Sequence, residues 1–231
     1  TFHSVIHPAS EMERAKAFAS LLGVEHLVLE SNELGIPEFV LNAPDRCYHC
    51  KKASGVRLLE IARERGIAVV AHGANADDPG DYRPGLRAAK EAGIAAPLME
   101  AGLTKDEIRA LSGKRNLSTW NLPAMPCLAT RIPYGTPITE DKLAAVRDAE
   151  TFLAELGFYP ARVRHHGSTA RIELSEGCFE RIVDPKMRHA VVEVLNQIGF
   201  SHVAVDLEGY VSGKMNRELP SDNEKKGEAL K

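Results

Sequence analysis

Long apolar runs are missing from this 231-residue chain, and none approaches the roughly 18 residues that span a membrane. The opening residues, TFHSVIHPAS, carry neither a basic segment nor a long apolar core, so they do not read as a secretory signal. Charge of one sign is also lacking. Lys and Arg total 29 against 32 Asp and Glu, a net charge of −3 with a pI near 6.3. A general nucleic-acid footprint is therefore not expected, although a local basic patch stays open. Cysteine is sparse: four residues, unevenly spaced, do not make a secreted disulfide scaffold. Internal repeats are absent. What remains is ordinary globular composition, 44% hydrophobic and 26% charged, enough for one large domain or two small ones. The chain reads as a cytoplasmic protein.

The periodicity changes partway along. Residues 1–7 alternate like a strand, and Ser10 with Glu13 predicts a capping box for a helix that stops at Gly23. Residues 24–30 predict a strand, 51–66 an amphipathic helix ending at Gly66, and 67–73 (IAVVAHG) a buried apolar strand. A helix over RPGLRAAKEAG, a short extended piece over IAAPLME, and a helix boxed by Thr104 and Glu107 follow. Such alternation argues a parallel α/β sheet with helices on both faces over 1–116. Residues 117–138 hold four prolines and no helical period, and a loop of that length is more often functional than idle. From 139 to 216 the order helix, strand, strand, helix, strand predicts a small α+β domain. The polar stretch 217–231 reads as a disordered tail.

Chemistry concentrates in few places. DRCYHCKK (45–52) sets Cys47 and Cys50 at or near a helix N-terminus, beside Arg46, Lys51 and Lys52, which should lower the thiol pKa values. The pair can be a redox couple, half of a zinc site, part of an iron–sulfur site, or incidental; a thioredoxin-type pair would follow a strand directly, and this one follows a loop. Cys127, in the proline-rich linker four residues before Arg131, is a nucleophile, a ligand or a plugged loop residue. Three cysteines with an open position suit an iron–sulfur cluster, and with His49 they suit zinc. Cys178 reads as structural. HGANADDPGDYRPG follows the 67–73 strand, where loops line the crevice of an open sheet. Asn75, Asp77, Asp78, Asp81 and Arg83 are thus candidates to face a nucleotide–magnesium complex, or simply turn residues. Arg162 and Arg164 share one strand face and could grip a phosphate, or lie on a solvated face; Glu150 and Glu173 could pair with them or bind a metal.

NAPDRCYHCKK, GANADDPGDYRPGLRAAKEAG, PLMEAGLTKDEIRALS, PCLATRIPYGTPIT and DLEGYVSGKMN, in that order, resemble the LarE family from residue 1 to about 216. These are ATP-dependent sulfur transferases of the PP-loop superfamily. The resemblance implies a PP-loop ATP-pyrophosphatase-like α/β domain followed by a small α+β domain. It also implies adenylation and then thiolation of the carboxylates of a pyridinium biscarboxylic acid mononucleotide, in nickel-pincer cofactor synthesis. Implied with it are ATP, Mg²⁺, a sulfide donor and a homo-oligomer. In one branch of the family a single cysteine, matching Cys127, gives up its own sulfur. In another, three cysteines hold a 4Fe–4S cluster, and Cys47, Cys50 and Cys127 match those. By the same resemblance Arg162 and Arg164 hold the substrate phosphate, Arg131 steadies the acyl-adenylate near Cys127, and the Asp77–Arg83 loop lines the nucleotide crevice.

One part of the family pattern is missing. Its Ser-Gly-Gly-x-Asp-Ser loop would precede the segment matching residue 1, and this sequence, which starts at Thr1, holds no Gly-Gly pair. That loop's amides bind ATP's phosphates. The expectation is that either about fifty upstream residues, the size of a strand–loop–helix unit, are missing from this sequence or the gene is truncated, and that the 231 residues alone do not turn over ATP. Substrate-dependent ATP consumption by them would refute it. Two alternatives stand beside the resemblance. A tRNA-thiolating PP-loop enzyme would bind tRNA with a steep salt dependence. A non-catalytic zinc-stabilised module would contain zinc without labile sulfide.

Overall fold

The structure, a computed structural model, describes residues 1–211 and 213–219. In the first unit β1 (Phe2–His3) pairs in parallel with β2 (Leu29–Glu30). Both are shorter than the alternation over 1–7 and 24–30 predicts. Between them α1 (Ala9–Leu22) ends at Gly23, whose φ of +64° places it in the left-handed region that stops a helix and favours glycine. The capping box at Ser10 does not form. The helix starts behind Pro8, whose ring supplies a helix-compatible φ but no side-chain cap, and Ser10 Oγ accepts from Arg14 Nη2 instead.

After α2 (Pro37–Val40) comes α3 (Arg46–Glu64), which begins five residues before the predicted 51 and takes both cysteines of CYHC into its first turns. Nothing between Pro44 and Gly55 breaks a helix, so it starts as soon as the proline is passed. The 67–73 segment is a correction. It is extended but makes only one parallel bridge, Ala71 with Ala95, and Ile67 and Val69 are 53% and 64% exposed. An apolar sequence becomes a buried strand only where neighbours complete its ladder and cover it. α4 (Pro84–Glu91) and α5 (Pro97–Glu100) follow, then α6 (Lys105–Lys114). Its Thr104–Glu107 capping box forms as predicted, with both reciprocal bonds present.

The second unit opens with α7 (Glu140–Glu155), capped by Thr139. β3 (Ala161–His166) and β4 (Thr169–Leu174) form a hairpin across Gly167–Ser168. α8 (Phe179–Val183) has no counterpart in the sequence reading. α9 (Pro185–Ile198) is capped by Asp184, and β5 (His202–Val205) lies parallel to β4, giving the order β3-β4-β5. Of the stretch read as a disordered tail, Arg217 and Glu218 belong to a 3₁₀ turn (Lys214–Glu218), and residues 220–231 lie outside the described residues. Among the described residues, no helix is long and apolar enough to cross a membrane.

Two apolar cores carry the molecule. One, around Phe158, Val163, Ile172 and Leu195, belongs to the second unit. The other joins Ile6 and Phe39 of the first unit to Leu128, Ile132 and Ile138 of the linker and to Leu143 and Val146 of α7. Each such side chain contributes about 1.5–3 kcal/mol on burial, enough to hold the linker as a packed layer. Asn42 adds a polar pin. Its Nδ2 lies within bonding distance of the carbonyls of Ile132, Pro133 and Thr136, all at 3.2 Å or less. Residues 126–138 are thereby anchored beside the start of α3.

Candidate functional site

A cavity of about 670 Å³ opens where the first unit, the linker and the second unit meet. α3 contributes Arg46, Cys47 and Lys51 to its wall, and the linker contributes Thr130, Arg131 and Tyr134. β3 contributes Arg162 and Arg164 from alternate positions, hence from one face. Residues 210–211 and 213–216 line it from the C-terminal side. Cationic side chains outnumber carboxylates on this wall, a field suited to an anionic ligand.

The three cysteines converge. Cys50 and Cys127 both pack against the core around Leu128, and the charges of Cys47, Cys50 and Cys127 are felt among themselves. The acidities of Cys50 and Cys127 run against the sequence expectation. Burial pushes the Cys50 thiol up to about 12, with the neighbouring thiols and Glu33 adding to it, and Lys51 offsets only part. Burial likewise raises Cys127, against the pull of Arg46 and Arg131. Desolvation and crowding of like charges outweigh the nearby cations. All four cysteines are unbonded, and Cys178 packs against the second unit's core. Among the described residues, no three His, Cys, Asp or Glu side chains gather closely enough to hold a single metal ion. His49 sits 3.4 Å from Asp45.

Arg131 is wholly committed. Its Nε and Nη2 bond the two oxygens of Glu150 at 2.8 and 2.9 Å, and Nη1 reaches Pro126 O, Cys127 O and Thr130 Oγ1. Glu150 Oε1 also accepts from Val163 N–H. Glu173 is buried between Arg164 and Arg171, which donate to its two oxygens. Both carboxylates are therefore filled by guanidinium groups. Arg162 is 2% exposed and donates to Ala161 O and Ala124 O, with Tyr210 across its face. Burial and the Arg131 charge lower its pKa. The Nε atoms of Arg46, Arg162 and Arg164 have no acceptor.

In the 75–83 loop, Asn75, Asp78, Asp81 and Arg83 line the cavity, but Asp77 does not; its carboxylate accepts from Lys105 N–H at the start of α6. Arg83 neutralises Asp78 at 2.7 Å and lies 3.4 Å from Asp81. Burial lowers the pKa of His72 next to this loop. Sequence reasoning missed Lys105, Thr130, Tyr134, Tyr210 and Met215, and counted Arg46 only as a neighbour of the thiols. The signal for Arg46 lay in its position directly before Cys47; the others are ordinary residues until the fold gathers them.

No family model matches the chain. It is 38% identical over 218 residues to the pyridinium-3,5-bisthiocarboxylic acid mononucleotide synthase of Lactiplantibacillus plantarum, covering 94% of this chain and 78% of that protein. It is 41% identical over 209 residues to an uncharacterised protein of Synechocystis, 90% of this chain and 78% of the other. An uncharacterised protein of Methanocaldococcus jannaschii is 28% identical over 193 residues, 84% of this chain and 75% of its own length.

Proposed function

We propose that this chain, which belongs to the LarE family of pyridinium-3,5-bisthiocarboxylic acid mononucleotide synthases, puts sulfur onto the carboxylates of a pyridinium mononucleotide in nickel-pincer cofactor synthesis. The observation that carries this reading is a cavity lined by Cys47 and the buried arginines Arg46, Arg131, Arg162 and Arg164, with Cys50 and Cys127 near enough to Cys47 to feel its charge. A carboxylate oxygen is a poor leaving group, so the reaction begins by activating it. The carboxylate would attack the α-phosphorus of ATP, with pyrophosphate as the leaving group and an acyl-adenylate as the product. A sulfur nucleophile then attacks the acyl carbon and AMP departs with the oxygen, leaving a carbon–sulfur bond.

Each group on the wall has a part in this scheme. Arg162 and Arg164, whose Nε atoms lack acceptors, take the substrate phosphate. Asn75, Asp78, Asp81 and Arg83 face the nucleotide end of the cavity. Arg131, saturated by Glu150 and by carbonyls on either side of Cys127, acts as a positioning residue that fixes this cysteine's loop. The donor chemistry suits a 4Fe–4S cluster: all three groups are thiols, soft ligands, whose charges act on one another. Cys47, Cys50 and Cys127 would hold it, and when bound it would supply a sulfide as the nucleophile. High thiol pKa values mean that loading releases protons and is favoured as pH rises.

The test is anaerobic reconstitution with iron and sulfide, followed by determination of iron, zinc and acid-labile sulfide, with Cys127→Ala alongside. Iron and sulfide in near-equal amounts, lost in the variant, are expected. Zinc alone or no metal would remove the cluster. Loss of one H₂S in mass from Cys127 after turnover would then make that cysteine the sulfur source.

A further inference from the structure

We propose that Arg46 is the guanidinium that receives a substrate carboxylate beside Cys127, with Met215 occupying the carboxylate's place in its absence. This rests on the sulfur-transfer reading above and assigns the residue that reading lacks.

Arg46 is 1% exposed, and among the described residues it makes no ion pair. Its Nη1 donates to Asn42 Oδ1 at 2.7 Å, its Nη2 contacts Met215 Sδ at 3.5 Å, its Cζ lies 4.8 Å from the centroid of the Tyr134 ring, and its Nε has no acceptor. A buried charge is costly without a counter-charge, and a thioether is among the weakest acceptors available. The other arginines of the wall differ. Arg131 and Arg164 each hold a carboxylate.

Arg162 alone matches Arg46 in kind. It too lacks a carboxylate, contacts a thioether (Met125 Sδ, 3.6 Å) and faces a tyrosine ring (Tyr210). The cavity thus has two buried guanidiniums that form no ion pair among the described residues, one from α3 and one from β3, each covered by a methionine and flanked by an aromatic ring. A ligand that is anionic at two separated points, with a flat ring between, satisfies both. A pyridinium dicarboxylate mononucleotide has that layout: phosphate at one end, carboxylates at the other.

The assignment of ends follows from the sulfur. The carboxylate under attack must lie near the thiols. Arg46 adjoins Cys47 in the chain and acts electrostatically on Cys127. Arg131, the other cation acting on Cys127, already has all three nitrogens engaged and its charge paired with Glu150. Arg162 pairs with Arg164 on β3 for the phosphate. A planar fork of N–H donors suits a carboxylate better than an ammonium would.

Titration calorimetry of the full chain with two separate probes tests this: pyridine-3,5-dicarboxylate, which has no phosphate, and ribose 5-phosphate, which has no carboxylate. Met215→Glu supplies Arg46 with an internal carboxylate and should weaken dicarboxylate binding about tenfold or more, leaving ribose 5-phosphate unchanged. Arg46→Lys, which keeps the charge and loses the fork, should weaken it in the same way. Arg162→Met should do the reverse. Dicarboxylate affinities of Met215→Glu and Arg46→Lys both within about twofold of the parent would overturn the assignment. So would a parent that binds ribose 5-phosphate alone, which leaves the sulfur-transfer reading standing. A parent that binds neither probe would overturn both.

Discussion

Replacing Glu150 with alanine removes the only carboxylate paired with Arg131 among the described residues, and Arg131 has a fully buried side chain. Removing one partner of a buried pair costs about 3–5 kcal/mol, because the other charge is stranded. The Val163 N–H loses its acceptor as well, since β3 is the edge of its sheet and Glu150 fills that position. At about 2–4 °C per kcal/mol for a chain of this size, the melting temperature should fall by roughly 6–20 °C. Glu150→Gln keeps one oxygen for Val163 and should lose less. The double variant Arg131→Met/Glu150→Ala should recover more than half of the loss, because no charge is left behind. Differential scanning fluorimetry with and without Mg²⁺ reads all four proteins. An alanine variant melting within about 2 °C of the parent would refute the reasoning. A Mg²⁺ stabilisation that the parent shows and the variant lacks would make Glu150 a metal ligand instead.

Burial that holds the Cys50 thiol up to about 12 leaves almost no thiolate at pH 8, so iodoacetamide should modify it about a thousandfold more slowly than in the urea-unfolded chain, read by peptide mass spectrometry. The same shift sets a linkage. The folded form holds this proton more tightly, so its contribution to stability is complete below the unfolded thiol's 9.0 and is lost as pH climbs toward about 12, which urea titrations at stepped pH would show. Gly209 has φ +70°, and an added Cβ would stand 2.6 Å from Leu174 O. Gly209→Ala should therefore break the Tyr210 N–H bond to Leu174 O, cost about 1–3 kcal/mol, and weaken binding of ribose 5-phosphate through displaced Tyr210.

Local rules read well where a residue's partner is close in the chain. The Thr104–Glu107 box and the stop at Gly23 depend on residues within a few positions of one another, whereas the equally local Ser10–Glu13 box gives way to a start behind Pro8. Of the candidates picked out by residue type, Cys47, Arg131, Arg162 and Arg164 come to line one cavity, while Cys50 and Cys127 pack against the core beside Leu128. Residues 67–73 mark the limit: their apolarity was visible, but a ladder depends on a neighbour's backbone, and only Ala95 supplies one bridge.

Acidity and commitment were decided by the fold alone. The cations beside CYHC promised low thiol pKa values, yet α3 packs Cys50 against the core around Leu128, and burial raises the pKa of this thiol. Arg131 and Arg46 look equally available in sequence. Packing gives the first a carboxylate on α7 and strands the second against a methionine 169 positions away. The sequence by itself determined which residue types were present and which local elements they would form. Which of them share a cavity, which are desolvated and which keep a free hand depends on long-range packing, because burial and charge pairing are properties of neighbours that the chain brings together only when folded.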